Sequence, residues 1–112
     1  MHRRHRLRSA EDFRRVRTHG RSYAHALLVL YVHANRDGLT RFGFAVSKRV
    51  GNAVVRNRVK RLLREAARHA LPALVPGWDI VVVGRPPLAE ATYPLVAEAL
   101  AATLRQANVL CS

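Results

Sequence analysis

In the stretch Lys48–Arg68 the apolar residues Val55, Val59, Leu62, Leu63, Ala66 and Ala67 recur at i, i+4, i+7, i+8, i+11 and i+12, the period of one helical face. The pattern predicts a long helix over about Ala53 to Ala70. Gly51-Asn52 breaks the chain before it, and Asn52 is the expected N-cap. Upstream, Ser9 followed by Asp12 has the spacing of a capping box and predicts a short helix over about Ala10 to Thr18. Gly20 is expected to end that helix in the left-handed conformation. Arg21 to His25 and Leu27 to Ala34 read as strands, and Asn35-Arg36-Asp37-Gly38 is the turn into a third, Thr40 to Ser47. Pro72, Pro76 and Gly77 close the long helix. The run Trp78 to Gly84 is apolar without clean alternation, as in a strand covered on both faces. After Pro86-Pro87 a last helix, about Thr92 to Gln106, carries Val96, Leu100, Leu104 and Ala107 on one face. The order α-β-β-β-α-β-α predicts a single α+β domain over residues 9–112, a sandwich of helices and sheet, preceded by a flexible basic arm at residues 1–8.

Charge changes this picture most. The 112 residues are 49% apolar, enough for a modest core, yet the net charge is +13. The excess falls in two blocks: residues 1–22 carry +6 and residues 41–69 carry +8, while residues 23–40 are neutral and residues 70–112 carry −1. An arginine-rich composition alone would not leave the last third nearly neutral. The partner implied is a polyanion. On the long helix, Arg56, Asn57, Lys60, Arg61, Arg64 and Arg68 fill the arc opposite the apolar stripe, and Glu65 is the only acid among them. An ordinary solvated face mixes Glu with Lys in i, i+4 pairs. A face of cations that repel one another is suited to phosphates.

Other classes fit poorly. The longest apolar run, Ala26 to Val32, is far too short to span a bilayer, and the cationic helix lacks the Trp or Phe of an interfacial anchor. No membrane partner is therefore expected. Cys111 is the sole cysteine, so no intramolecular disulfide forms, which fits a reducing cytoplasm. The acids Glu11, Asp12, Asp37, Glu65, Asp79, Glu90 and Glu98 are scattered and suggest no two-metal nuclease site. His2 and His5 lie in the arm, and His25 and His33 have no partner cysteine or acid close in sequence, so no metal site is expected in the protein. On the strands, Leu28, Leu30 and Val32 share one face, and Tyr31 and His33 the other. Phe42, Phe44 and Val46 lie opposite Gly43, Ala45 and Ser47. Small residues beside Tyr31 would leave a shallow trough in which an aromatic ring can stack an unpaired base, with Phe13 lining the same trough.

The run Val46 to Glu65, with Arg56-Asn57-Arg58 at its centre, closely resembles the RNR signature of the bacterial ribonuclease P protein subunit. Glu11-Asp12-Phe13, His19-Gly20, Val29-Leu30-Tyr31 and Asp79 to Gly84 with Arg85-Pro86 extend the resemblance over essentially the whole chain. It implies a small α/β protein whose third strand, long helix and fourth strand make a left-handed crossover, against the usual right-handed rule. It implies partnership with a catalytic RNA that holds the active site and the Mg²⁺, the two together removing the 5′ leader of precursor tRNA. Catalytic residues in the protein are then none. Lys48, Arg49, Asn52, Arg56, Asn57, Arg58, Lys60, Arg61, Arg64 and Arg68 are expected to face the catalytic RNA. Phe13 and Tyr31 match the aromatic positions of the cleft that takes the leader. Arg17 stands where many members carry another aromatic, which implies a more electrostatic grip there.

Three other readings are weighed. A DNA-binding helix-turn-helix would need a helix and tight turn before the basic helix, where this chain has strands, so no DNA partner is expected. A general or ribosomal RNA-binding protein of similar architecture would differ in which RNA it binds. A self-sufficient nuclease would cleave without RNA.

Overall fold

The computed structural model describes residues 2–111. The short helix α1 (Ala10–His19) starts at Ser9, whose hydroxyl accepts from the Asp12 amide at 3.0 Å. Four strands follow the predicted order: β1 (Arg21–Ala24), β2 (Leu28–Ala34), β3 (Arg41–Ala45) and, after the long helix α2 (Ala53–Ala70), β4 (Trp78–Gly84). The last helix, α3 (Tyr93–Ala107), begins after Thr92 and ends at Asn108, which takes the left-handed conformation at φ 59°.

The strands form one sheet in the order β1-β2-β4-β3. β1 pairs with β2 and β2 with β4, both antiparallel, while β3 runs parallel to β4. The turn at Asn35–Gly38 therefore does not fold β3 back onto β2, as a hairpin reading of that turn would have it. β4 lies between them, and Asn35 donates its own amide to the Gly77 carbonyl at the entrance of β4. The physical reason is burial. β4 is the strand with Asp79 to Val82 all buried, so it requires neighbours on both edges, and the shorter β3 takes the outside. α2 links the parallel pair β3 and β4, as a parallel connection demands.

The helices cover both faces of the sheet. Leu28, Leu30, Val32, Phe42, Ile80 and Val82 point toward α2 and α3, where they meet Val59, Leu63, Ala66 and Ala67 from α2 and Val96, Leu100 and Leu104 from α3. The opposite face carries a smaller cluster, Leu7, Val16 and Val81, with Phe13, Tyr31 and Val83 packed on it, and is covered by α1.

Two local expectations are corrected. Gly20 is extended, at φ −82° and ψ 166°, not left-handed. It is glycine for clearance: a Cβ there would lie 2.4 Å from the Val16 carbonyl oxygen and 2.6 Å from that of Val32. Of the segment read as a flexible arm, Met1 lies outside the described residues, and the rest is docked in the structure. Arg3–His5 forms a 3-10 turn, Arg6 bridges to Phe42, the Leu7 amide donates to the Phe42 carbonyl at 2.7 Å, and Leu7 is buried. Charge alone suggested a free arm, and the single apolar anchor Leu7 decides otherwise.

Candidate nucleic-acid interface

The cationic helix forms where the apolar stripe and the cap predict. The Asn52 side chain accepts from the Val55 amide at 3.0 Å, and Val59, Leu63, Ala66 and Ala67 are buried beneath the helix. Just upstream the Val50 amide donates to the Ser47 carbonyl at 3.1 Å and the Val50 side chain enters the core, which turns Lys48 and Arg49 outward.

The cations of this face differ in how they are held. Lys48, Arg49, Lys60, Arg61 and Arg64 have no side-chain hydrogen bond or ion pair among the described residues. Arg56 is partly buried, and its Nε is closed off from solvent with no partner. Arg58 instead donates to the Ala89 carbonyl, which ties α2 to the 3-10 turn Pro86–Glu90. Arg68 is paired with Glu65 at 2.6 Å, and the His69 Nε2 lies 3.0 Å from the same carboxylate. The bonds from Arg68 hold the Glu65 carboxyl below the usual carboxylate range. Asn57 is exposed in the same arc. Val54, 77% exposed, lies outside the stripe at the start of the helix, an apolar position the helical pattern did not single out.

The second surface lies on the α1 side of the sheet. The Phe13 ring sits on Gly43 so closely that a Cβ there would be 2.5 Å from the ring. The Arg17 guanidinium lies over the Tyr31 ring, 5.5 Å from its centre, a cation–π arrangement. Tyr31 is half-buried against Val16 and Val81. The expected trough is altered, because Tyr31 pairs across the sheet with Val81 and only then comes Gly43. Tyr31 therefore has Val81 on one side and Ser22 of β1 on the other, away from Gly43, Ala45 and Ser47, and Phe13 fills the space over Gly43. Phe13 thus forms a wall shared by two concavities. One, about 560 Å³, lies along α1 with Ala10, Arg14 and Arg17, and the other, about 120 Å³, is flanked by Arg6, Phe44, Lys60 and Arg64. The two predicted surfaces are neighbours, joined at the β3 edge.

One feature of this region escaped the sequence reading. Asp79 is fully buried and accepts from Arg15 at 2.8 Å, from Arg41 at 2.9 and 3.1 Å and from Asn35 at 2.8 Å. Burial alone would raise its pKa, but the bonds from Arg41, Arg15 and Asn35 outweigh it and hold the carboxyl below its ordinary range. Arg15 belongs to α1, so this carboxylate pins α1 to the sheet. The available signal was an acid inside a strand predicted to be covered on both faces, since such a charge must be paired.

Among the described residues no three His, Cys, Asp or Glu side chains come together as a metal-holding group. No helix is long and apolar enough to cross a membrane.

A small α+β domain with a helix face rich in cations, several of them unpaired among the described residues, beside concavities walled by Phe13, has the build of an RNA-binding protein. The family model for Ribonuclease P matches residues 1–108. The ribonuclease P protein component of Roseiflexus sp. (strain RS-1) is 45% identical over 111 residues, covering 98% of this chain and 91% of that one. That of Herpetosiphon aurantiacus is 43% identical over 109 residues, covering 97% and 89%. Among solved structures, the Staphylococcus aureus RNase P protein superposes with a TM-score of 0.85 at 32% identity, covering 95% of this chain and 97% of that one. The Thermotoga maritima protein gives 0.82 at 30% identity, covering 90% and 96%. The chain belongs to the ribonuclease P protein family, the protein subunit that serves the ribonuclease P ribozyme in tRNA 5′ processing.

Proposed function

We propose that the two surfaces divide the work between two RNAs. The α2 face and its preceding loop bind the catalytic RNA through Lys48, Arg49, Arg56, Asn57, Lys60, Arg61 and Arg64. Asn52 contributes as the cap, Arg58 by fixing α2 to the Pro86–Glu90 turn, and Arg68 through the arc it shares with Glu65. The α1 surface, with Phe13, Arg17 and Tyr31, takes the single-stranded 5′ leader of precursor tRNA. The observation that carries the reading is the set of cations on α2, Lys60, Arg61 and Arg64, with no side-chain partner among the described residues. Folding holds these charges together at a Coulombic cost that a polyanion removes. Arg17 over Tyr31 presents a cation and a ring edge to the leader, so the grip there is more electrostatic than stacking. Hydrolysis and the Mg²⁺ it requires are assigned to the RNA. The protein screens repulsion between the two RNAs and extends contact along the leader, working in the cytoplasm where these RNAs reside.

The test is 5′-leader cleavage of a precursor tRNA at low millimolar Mg²⁺ with protein alone, bacterial ribonuclease P RNA alone, and both. Stimulation only with both is expected. Arg61→Ala should weaken assembly with the catalytic RNA by about 1–3 kcal/mol. Tyr31→Ala should spare assembly and reduce preference for precursor over mature tRNA. An exchange of these two defects would overturn the assignment of surfaces. RNA binding without stimulation would leave a general RNA-binding protein.

A further inference from the structure

The docked N-terminal segment brings Arg6 beside the C-terminal half of α2. Arg6, Arg61, Arg64, Glu65 and Arg68 surround a concavity of about 360 Å³. Its formal charge is strongly positive, and the one carboxylate is already engaged by Arg68 and His69. Arg6, Arg61 and Arg64 are left without a counter-charge among the described residues. Arg6 does not hang there by chance. Its amide donates to the Arg3 carbonyl at 3.1 Å, the next amide to Phe42 at 2.7 Å, and His5 Nδ1 lies 2.8 Å from the Thr40 carbonyl oxygen. Leu7, 6% exposed, fastens the segment from below. Arg6 also borders the smaller concavity at the β3 edge, so it stands where the two surfaces meet.

Resting on the α2 reading above, we propose that Arg6, Arg61 and Arg64 form a composite phosphate site for the backbone of the catalytic RNA, with the docked arm as its second wall. Three guanidinium forks from two chain segments suit the oxygens of phosphates that a folded RNA brings close together. An extended single strand offers its phosphates one after another, and so satisfies such a cluster less well. An acidic peptide would meet Glu65 inside the same concavity. The RNA backbone meets it too, but with Glu65 already saturated by Arg68 and His69 the remaining three cations outnumber it.

The experiment is equilibrium binding of the full chain to bacterial ribonuclease P RNA across a salt series, with thermal midpoints as a folding control. Arg6→Ala should weaken binding about tenfold and flatten the slope of log affinity against log salt by about 0.7 to 0.9, one phosphate contact. Arg6→Lys should restore the slope but only part of the affinity, since the fork is lost. Arg8→Ala, exposed and outside the concavity, should change affinity less than twofold. Glu65→Gln, which releases Arg68, should tighten binding. If Arg6→Ala binds like the parent while Arg61→Ala is weakened, the composite site is wrong and the α2 reading stands. If neither variant weakens binding, the α2 reading itself falls. Equal losses from Arg6→Ala and Arg8→Ala would reduce the effect to general charge. A loss confined to precursor tRNA would name the wrong RNA.

Discussion

Replacing Asp79 by Asn tests whether one buried carboxylate holds α1 on the sheet. The side chain has no solvent exposure, while Arg15 and Arg41 are 34% and 25% exposed. The amide keeps one acceptor oxygen but turns an NH₂ toward guanidinium groups and removes the charge that neutralised them. Breaking a buried pair by removing one partner costs about 3–5 kcal/mol. Water can reach the two arginines left behind, so the lower end, about 3 kcal/mol, applies here. At about 4 °C per kcal/mol for a domain of this length, the thermal midpoint should fall by about 12 °C. The loss should depend on pH in a defined direction. Asp79 has a folded-state pKa below its unfolded value, so its stabilisation is complete above about pH 4 and is lost as the pH falls through the folded-state pKa. Urea unfolding of parent and Asp79→Asn between pH 2.5 and pH 7, an interval chosen to straddle about pH 4, should show curves that are far apart at the neutral end and converge toward the acid end. A gap below about 1 kcal/mol, the size of a solvated ion pair, would refute the reasoning. So would a gap that stays constant with pH.

Three further outcomes follow from the same geometry. Gly43→Ala puts a methyl group 2.5 Å from the Phe13 ring, so α1 must shift, with a cost of about 1–3 kcal/mol in urea unfolding and a loss of leader affinity. Asn52→Ala removes the cap on α2 and should cost about 1 kcal/mol, read as a lower thermal midpoint with RNA binding reduced only in proportion. Arg17→Ala should lower leader affinity and its salt dependence together; if both stay unchanged, Arg17 does not contact the leader.

Where local pattern decides, the sequence was sufficient. α2 and β4 form at the predicted residues because each carries its own signal, a cap with a period-3.6 stripe for one and a bounded apolar run for the other. Tyr31 and Phe13 fall on the same face because alternation along β2 is local. Strand order is not local. Nothing between Asn35 and Gly38 says that β4, more than forty residues later, will slip between β2 and β3, and the trough beside Tyr31 was misjudged for that reason. The charge pattern likewise marked the α2 face without telling which cations the protein spends on itself. Arg58 on Ala89 and Arg68 on Glu65 are tertiary and helical contacts that a wheel cannot distinguish from Arg61 or Arg64. Arg6 was hidden inside a segment whose charge suggested freedom, and only the burial of Leu7 shows where it goes.

β3 is an outer strand of the sheet, and its far edge carries backbone groups with no strand beside them. Two of its neighbouring side chains, Phe42 and Phe44, are stacked aromatics, 5.9 Å apart. An outer strand with an open edge is a template on which a second chain can add. The turn at Arg3–His5 and the bridge from Arg6 to Phe42 stand across that edge and carry their own positive charge. A chain shortened past Leu7 would bare that edge and should self-associate at lower concentrations than the full chain, which light scattering over a dilution series would show.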